Sequence, residues 1–253
     1  MPPPALLPLL DMSSRSSPAR LYSEFASWFH LLSAPADYAE EAEFARKALV
    51  EASARTIQAV LELGSGGGNN ASHLKRSFKM TLVDLSSGML DLSREINPDC
   101  EHVVGDMTSV RLGREFDAVF VHDAVMYLTT TEQLKECLDT AFVHCKPGGA
   151  ALFMPDFVKE TFVSGVHHGG HDGNFRGLRY FEWTFDPDPT DSTYTVDFVY
   201  MLREGNSPVR VESECHLFGL FSRDEWLKAL AEAGFDARSV VDPYGREIFV
   251  CTK

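Results

Sequence analysis

The sequence predicts an α/β protein built on a doubly wound, mostly parallel sheet, and three observations predict it. Residues 59–85 read as a short apolar run, a glycine-rich loop, a helical pattern and a second apolar run ending in an acid, the layout of a nucleotide-binding βαβ unit. Residues 116–121, FDAVFV, form a short, almost wholly apolar run, as expected of a parallel strand covered by helices on both faces. Helical and strand-like patterns alternate from residue 39 to residue 154, the element order of an α/β chain.

Length and composition bound the function. A chain of 253 residues accommodates one α/β domain with an appendage. Its formal net charge of −14 argues against nucleic acid, which is bound through clustered Lys and Arg; a small molecule is the expected partner, with the protein a monomer or homodimer. The five cysteines include no C-x-x-C pair, as expected of reduced thiols in a cytoplasmic protein. At the N-terminus, MPPPALLPLL has prolines within its apolar stretch and no basic residue before it. We expect a disordered leader over residues 1–20 rather than a secretory signal. No window approaches the roughly 18 apolar residues of a membrane span.

In chain order, residues 21–29 carry Tyr22, Phe25 and Phe29 at helical spacing, which predicts a helix packed on the core. Ala39–Ala52 reads as an amphipathic helix with Ala42, Phe44, Ala45, Ala48 and Leu49 inside. A strand over residues 59–61 leads to the glycine loop, and a helix from Asn70 follows with Ala71, Leu74 and Phe78 on one face. The second strand ends in Asp84, and a serine-capped helix runs to about Ile96. Residues 100–104 form the third strand and FDAVFV the fourth. Residues 130–144 form a helix with Leu134, Leu138, Ala141 and Phe142 buried. Lys146-Pro147-Gly148-Gly149 then turns into a fifth strand at 150–154.

From residue 155 to 221 the helical period disappears. Alternating runs at 178–185, 193–203 and 209–218, separated by turn-forming DPDPTDS and EGNSP, predict an antiparallel β cap inserted over the site. Before it lies a glycine-rich loop bearing His167, His168, His171 and Asp172. Three histidines within five residues, with no second cluster of matching spacing, do not predict a metal site. Residues 222–253 read as a helix capped by Ser222 and stopped by Gly234, then a hairpin with Tyr244 and Arg246 at its tip. The expected units are therefore residues 21–154 with 222–253 as the core and residues 155–221 as the cap.

Spacing decides which nucleotide-binding class the loop joins. G-x-G-x-x-G requires a glycine where this chain has Asn69, so an NAD-type oxidoreductase is disfavoured. What fits is E-x-G-x-G-x-G, from Glu62 through Gly64, Gly66 and Gly68, with Asp84 ending the next strand. At these residues the chain resembles the class I S-adenosylmethionine-dependent methyltransferases. The resemblance implies a Rossmann-like seven-stranded sheet whose last strand is antiparallel. It also implies S-adenosyl-L-methionine as cofactor and S-adenosyl-L-homocysteine as product. By the same resemblance, the glycine loop lies against the methionine part and Asp84 bonds both ribose hydroxyls. Asp106 accepts from the adenine amino group and Met107 covers the ring. Tyr22, Glu62, Ser65, Leu85, Met89 and His122 complete the implied cofactor set.

With its cap, the chain looks like small-molecule methyltransferases such as the N,N-dimethyltransferases of nucleotide-linked amino-deoxysugars. Gly105-Asp106-Met107 and Leu220-Phe221-Ser222 most suggest it. The Gly-Lys-Asp-Tyr-like segment of those enzymes is represented here by Asp37 and Tyr38 alone, without the lysine. His122 and Asp123 leave the fourth strand where the transferred methyl must lie. An amine acceptor needs a base to free its lone pair; His122 is the first candidate, with His171 or Asp172 second. A carboxylate acceptor needs none, and a SAM-binding protein without catalysis is the other alternative. Tyr38, Tyr127, His168, Asp172 and Arg246 are the substrate-contact candidates.

Overall fold

The strands in chain order are β1 (Ala59–Leu63), β2 (Lys79–Asp84), β3 (Glu101–Val104), β4 (Phe116–Val121) and β5 (Cys145–Phe153), then β6 (Gly165–Gly169), β7 (Asp172–Gly173), β8 (Arg176–Phe185), β9 (Thr193–Glu204) and β10 (Arg210–Gly219), and finally β11 (Asp236–Val241) and β12 (Glu247–Thr252). The helices are α1 (Phe29–Leu32), α2 (Ala39–Ala52), α3 (Asn69–Leu74), α4 (Ser87–Ile96), α5 (Thr131–His144) and α6 (Arg223–Ala233). In the computed structural model, which describes residues 19–253, seven strands form one sheet in the order β11-β12-β5-β4-β1-β2-β3. Strand β12 runs antiparallel to both neighbours, and the other pairings are parallel. The expected leader lies outside the described residues, apart from Ala19 and Arg20.

Every residue of β4 is buried, and its side chains divide by parity. Val119 and Val121 join Leu61, Leu63, Ala151 and Phe153 beneath α5 and α6. Ala118 and Phe120 join Val60, Met80, Leu82 and Leu152 beneath α2 and α3. Each fully buried aliphatic or aromatic side chain contributes about 1.5–3 kcal/mol, so this two-sided strand anchors both layers. The helix boundaries follow from caps. Thr130 and Gln133 form a reciprocal capping box at the start of α5, Ser222 and Glu225 another on α6, and Gly234 ends α6 with φ at 104°.

A second sheet contains β10-β9-β8-β6, with β7 also paired to β8. Its inner face meets the N-terminal segment: Leu21, Phe25 and Trp28 pack against Leu178, Tyr200 and Leu202. That contact explains the first departure from expectation. Residues 20–32 form two 3-10 turns, Arg20–Tyr22 and Ala26–Trp28, followed by the four-residue α1, instead of one helix. Packing on a sheet overrides the helical spacing.

Of the segment expected as a loop, His167 and His168 lie in an edge strand, β6, whereas His171 falls between β6 and β7. Gly165 pairs with Thr184 and Gly169 with Tyr180, which satisfies a β8 edge that would otherwise lack partners. Lys146-Pro147-Gly148-Gly149 lies within β5, opposite an irregularity between Phe116 and Ala118. On α6, Ala229 is buried and Ala231 exposed. Phe142 is half-buried, and Phe78 is buried beyond the end of α3.

Candidate active site

The cofactor loop is built by backbone geometry that only glycine tolerates well. Gly64, Gly66 and Gly68 have φ of 69°, 52° and 76°, and left-handed backbone costs an L-residue about 1–2 kcal/mol. A Cβ at Gly64 would overlap that of Ala124, and one at Gly68 would overlap Ser93 and Asn97. Asp84 ties the loop to β2. Its Oδ2 accepts the Gly66 N–H at 2.7 Å and its Oδ1 accepts the Ser86 N–H at 2.8 Å. A carboxylate oxygen has two lone pairs, so each retains capacity for a further donor. Burial pushes the Asp84 pKa above its ordinary value, against the pull of these two N–H groups.

Glu62 is 3% exposed and Ser65 7%, and neither Glu62 Oε2 nor Ser65 Oγ has a hydrogen-bond partner. Burial pushes the Glu62 carboxyl up to about 8. Met89 is buried beneath Gly66, and Met107 Sδ lies beside Gly64. Asp106 is exposed, with Oδ1 accepting from the Thr108 N–H and hydroxyl at 2.8 and 2.7 Å. Leu85 is exposed, and the Tyr22 carbonyl accepts from the Ser86 hydroxyl.

Beside the carboxyl end of β4 is a cavity of about 270 Å³ lined by Asp37, Tyr38, Glu41, His122, Asp123, Tyr244 and Arg246. His122 Nε2 lies 2.8 Å from Glu41 Oε1, and its Nδ1 3.0 Å from Asp123 Oδ1. Nε2 and Asp123 Oδ1 do not meet hydrogen-bond geometry, so we treat these contacts as coulombic. Burial opposes the imidazolium, but Asp123 and Glu41 outweigh it and push His122 up to about 10. Burial likewise opposes the Glu41 carboxylate, while His122 and Arg246 hold it at about 2. Arg246 also pairs with Glu41, contacts Asp242 at 2.8 Å, and lies 3.8 Å from both Asp123 and Asp156. Burial, then the charge of Asp123, drives Asp156 well above the carboxylate range, although 39% of its side chain is open to solvent. Through Arg246 it borders the same open cavity, or chamber. Glu182 and Tyr194, on the second sheet, share that electrostatic environment with Asp123 and Asp156.

The remaining candidates are dispersed. Tyr38 bonds Ser33 at 2.7 Å, with its ring edge-on to His122. Tyr127 bonds Tyr22 and His216. His171 Nε2 lies 3.0 Å from Asp37 Oδ2, which places it on the cavity rim. His168 is exposed opposite Phe181, and Asp172 is exposed and paired with Arg179 at 2.7 Å. Sequence reasoning missed Glu41, Asp156, Glu182, Glu214 and His216. Glu41 had a legible signal as an acid on the same helical stripe as Ala45 and Leu49, and Asp156 another in following β5 so closely.

Residues 60–149 match a family model described as a methyltransferase domain. Over 233 residues the chain is 30% identical to the dTDP-3-amino-3,4,6-trideoxy-alpha-D-glucopyranose N,N-dimethyltransferase of Streptomyces venezuelae, covering 85% of this chain and 90% of that protein. It is 26% identical over 207 residues to the dTDP-3-amino-3,6-dideoxy-alpha-D-glucopyranose N,N-dimethyltransferase of Streptomyces fradiae, covering 80% of each. The crystal structure of Streptomyces venezuelae DesVI superposes with a TM-score of 0.82 at 27% identity, covering 90% of this chain and 98% of that one. The chain belongs to the S-adenosylmethionine-dependent methyltransferases.

The residues present fit that cofactor. The orphaned oxygens of Glu62 and Ser65 are open to a polar partner, the glycine cradle leaves no room for a Cβ at Gly64, and Asp84 keeps lone pairs for two hydroxyls. Among the described residues, no helix is long and apolar enough to cross a membrane.

Proposed function

We propose that the acceptor is an amine of a small molecule, an amino-deoxysugar by kinship with the relatives above, and that it is held in the chamber beside Asp123. The observation that carries this reading is charge. Around the two cations His122 and Arg246 stand Asp37, Glu41, Asp123, Asp156 and Asp242, so the chamber attracts an ammonium and repels a carboxylate. The crowding of carboxylates that raises the Asp156 pKa is relieved when a cation arrives, so acceptor binding favours its ionised form.

When bound, S-adenosylmethionine supplies a methyl carbon already activated by its sulfonium. The chain's own work is positioning and water exclusion. In this reading Gly64, Ser65, Gly66, Gly68, Asp84 and Met107 hold the cofactor, and the second sheet roofs the acceptor. His122, an imidazolium at neutral pH, has no lone pair for a proton. Its role is to fix Asp123 and Glu41 in place, and the acceptor's proton leaves by another route.

Asp156→Asn tests the charge argument. It is expected to raise KM for an amine acceptor about tenfold, as for loss of one charge-assisted contact, with affinity for S-adenosylhomocysteine unchanged. Steady-state kinetics and calorimetry read the two quantities separately. An unaltered KM would remove Asp156 from the acceptor site.

A further inference from the structure

We infer that a hydrogen-bonded chain from Tyr22 through Tyr127 to His216, backed by Glu214, takes up the acceptor's proton before methyl transfer. The inference rests on the amine reading above. Its elements come from three parts of the fold: Tyr22 from the N-terminal turn, Tyr127 from the turn after β4, and His216 and Glu214 from β10. The Tyr127 hydroxyl donates to that of Tyr22 at 2.9 Å and lies 2.7 Å from His216 Nδ1. His216 Nε2 is 3.0 Å from Glu214 Oε1, a contact that does not meet hydrogen-bond geometry and is coulombic. The two residues expose only 2% and 10% of their side chains. Glu214 also accepts from the Tyr200 hydroxyl at 2.9 Å and from the backbone N–H groups of Arg20 and Leu21 at 2.8 and 3.3 Å.

The donors fix the state of the chain. Because Tyr127 gives its proton to Tyr22, its oxygen is the acceptor for Nδ1–H of His216. Glu214, engaged by three donors, is an ionised acceptor, and its charge favours a proton on the Nε2 that faces it. With a proton on each ring nitrogen of His216, this arrangement is the loaded form of the relay. Glu214 and Glu182 are the carboxylates acting on this imidazole; Tyr22, Tyr127, Phe198 and Phe218 wall it in.

In the unloaded form Nδ1 is a lone pair, Tyr127 donates to it, and Tyr22 donates to Tyr127. The Tyr22 oxygen is then the open acceptor of the chain, on a residue within the field of both Asp84 and Asp123, between the cofactor loop and the chamber. The step moves one proton without net loss. The acceptor ammonium gives a proton to the Tyr22 oxygen, Tyr22 passes its own to Tyr127, and Tyr127 passes its own to His216 Nδ1. The products are a neutral amine, its lone pair free for the methyl carbon, and an imidazolium against Glu214. Burial raises the pKa of both phenols above the ordinary tyrosine value, so they transmit a proton rather than rest as phenolates. When the site reopens to water the proton returns along the same path. Tyr22 is the group that touches the acceptor, and Tyr127, His216 and Glu214 are positioning residues behind it.

Two variants test the relay, Tyr127→Phe, which keeps the ring and removes the link, and Glu214→Gln, which keeps the volume and removes the charge. The full chain is assayed with S-adenosylmethionine and an amino-deoxysugar acceptor from pH 6 to pH 10. Both variants are expected to lose about 10²-fold in kcat near neutral pH, with KM for the cofactor unchanged, and to recover as the pH passes the acceptor's own pKa and the amine arrives neutral. A uniform loss with a pH profile parallel to the wild type would overturn the relay, as would full activity of either folded variant. Circular dichroism and S-adenosylhomocysteine binding identify a variant that does not fold, and the other then decides. A wild type that methylates no amine at any pH would instead overturn the amine reading, and the relay with it.

Discussion

Asp84→Ala is expected to weaken binding of S-adenosylmethionine and S-adenosylhomocysteine by about 10²-fold, close to 3 kcal/mol for two charge-assisted hydrogen bonds. The loss has two sources. In the proposed binding mode the ribose hydroxyls lose their acceptor, and the Gly66 and Ser86 N–H groups, which Asp84 holds at 2.7 and 2.8 Å, are released, so the glycine loop loses its tie to β2. Asp84→Asn separates the two. It preserves size and one acceptor oxygen while removing the charge, and its affinity should fall between the wild type and alanine. Calorimetric titration of the three proteins gives the ranking directly; equal affinities would show that Asp84 only shapes the turn before α4.

His122→Gln is expected to lower stability by about 3 kcal/mol near neutral pH, the scale for breaking a buried ion pair by removing one partner, and to flatten its dependence on pH. The folded imidazole titrates near 10 against an ordinary 6.5. Its contribution is therefore complete below about pH 6.5 and is lost as the pH rises toward 10, by at most about 1.4 kcal/mol per unit. Glu41 works in the opposite direction. Held at about 2 against an ordinary 4.5, it contributes above pH 4.5 and ceases to do so as the pH falls toward 2. The raised Glu62 also erodes stability as the pH rises; because the His122 charge draws its pKa down, that erosion extends to higher pH in the variant and offsets part of the flattening. Urea unfolding at pH 6.5, 7.5 and 8.5 is the measurement. Wild-type stability should fall more steeply than that of the variant, whereas parallel curves would mean that His122 is neutral in the folded protein.

What the sequence made legible were features in which local geometry dictates residue identity. Positive φ at Gly64, Gly66 and Gly68 restricts those positions, two-sided burial makes β4 apolar at every position but Asp117, and capping places Ser222 at the start of α6. Alternation marked β8, β9 and β10 for the same reason. Features set by distant partners were not legible. β6 is a strand because β8 offers it an edge, and in Gly-Val-His-His-Gly only Val166 favours a strand by itself. Register with β8 places His168 opposite Phe181 and His167 opposite Glu182, a parity that one sequence does not reveal. Glu214 and His216 share the inner face of β10 with Phe218, but alternation alone does not say which face is inside. Their partners Arg20, Tyr22 and Tyr127 lie far away in sequence, so the network exists only once the N-terminal turn is folded onto the second sheet.

The most direct test of the proposed function is a product analysis. The wild-type protein is incubated with methyl-labelled S-adenosylmethionine and three matched acceptors: an amino-deoxysugar offered with and without its nucleotide, the corresponding hydroxy sugar, and a sugar carboxylic acid. Mass spectrometry and NMR then locate the label. The anionic chamber predicts one or two methyl groups on nitrogen and none on the hydroxyl or carboxylate. Label on oxygen, with the amine untouched, would contradict it.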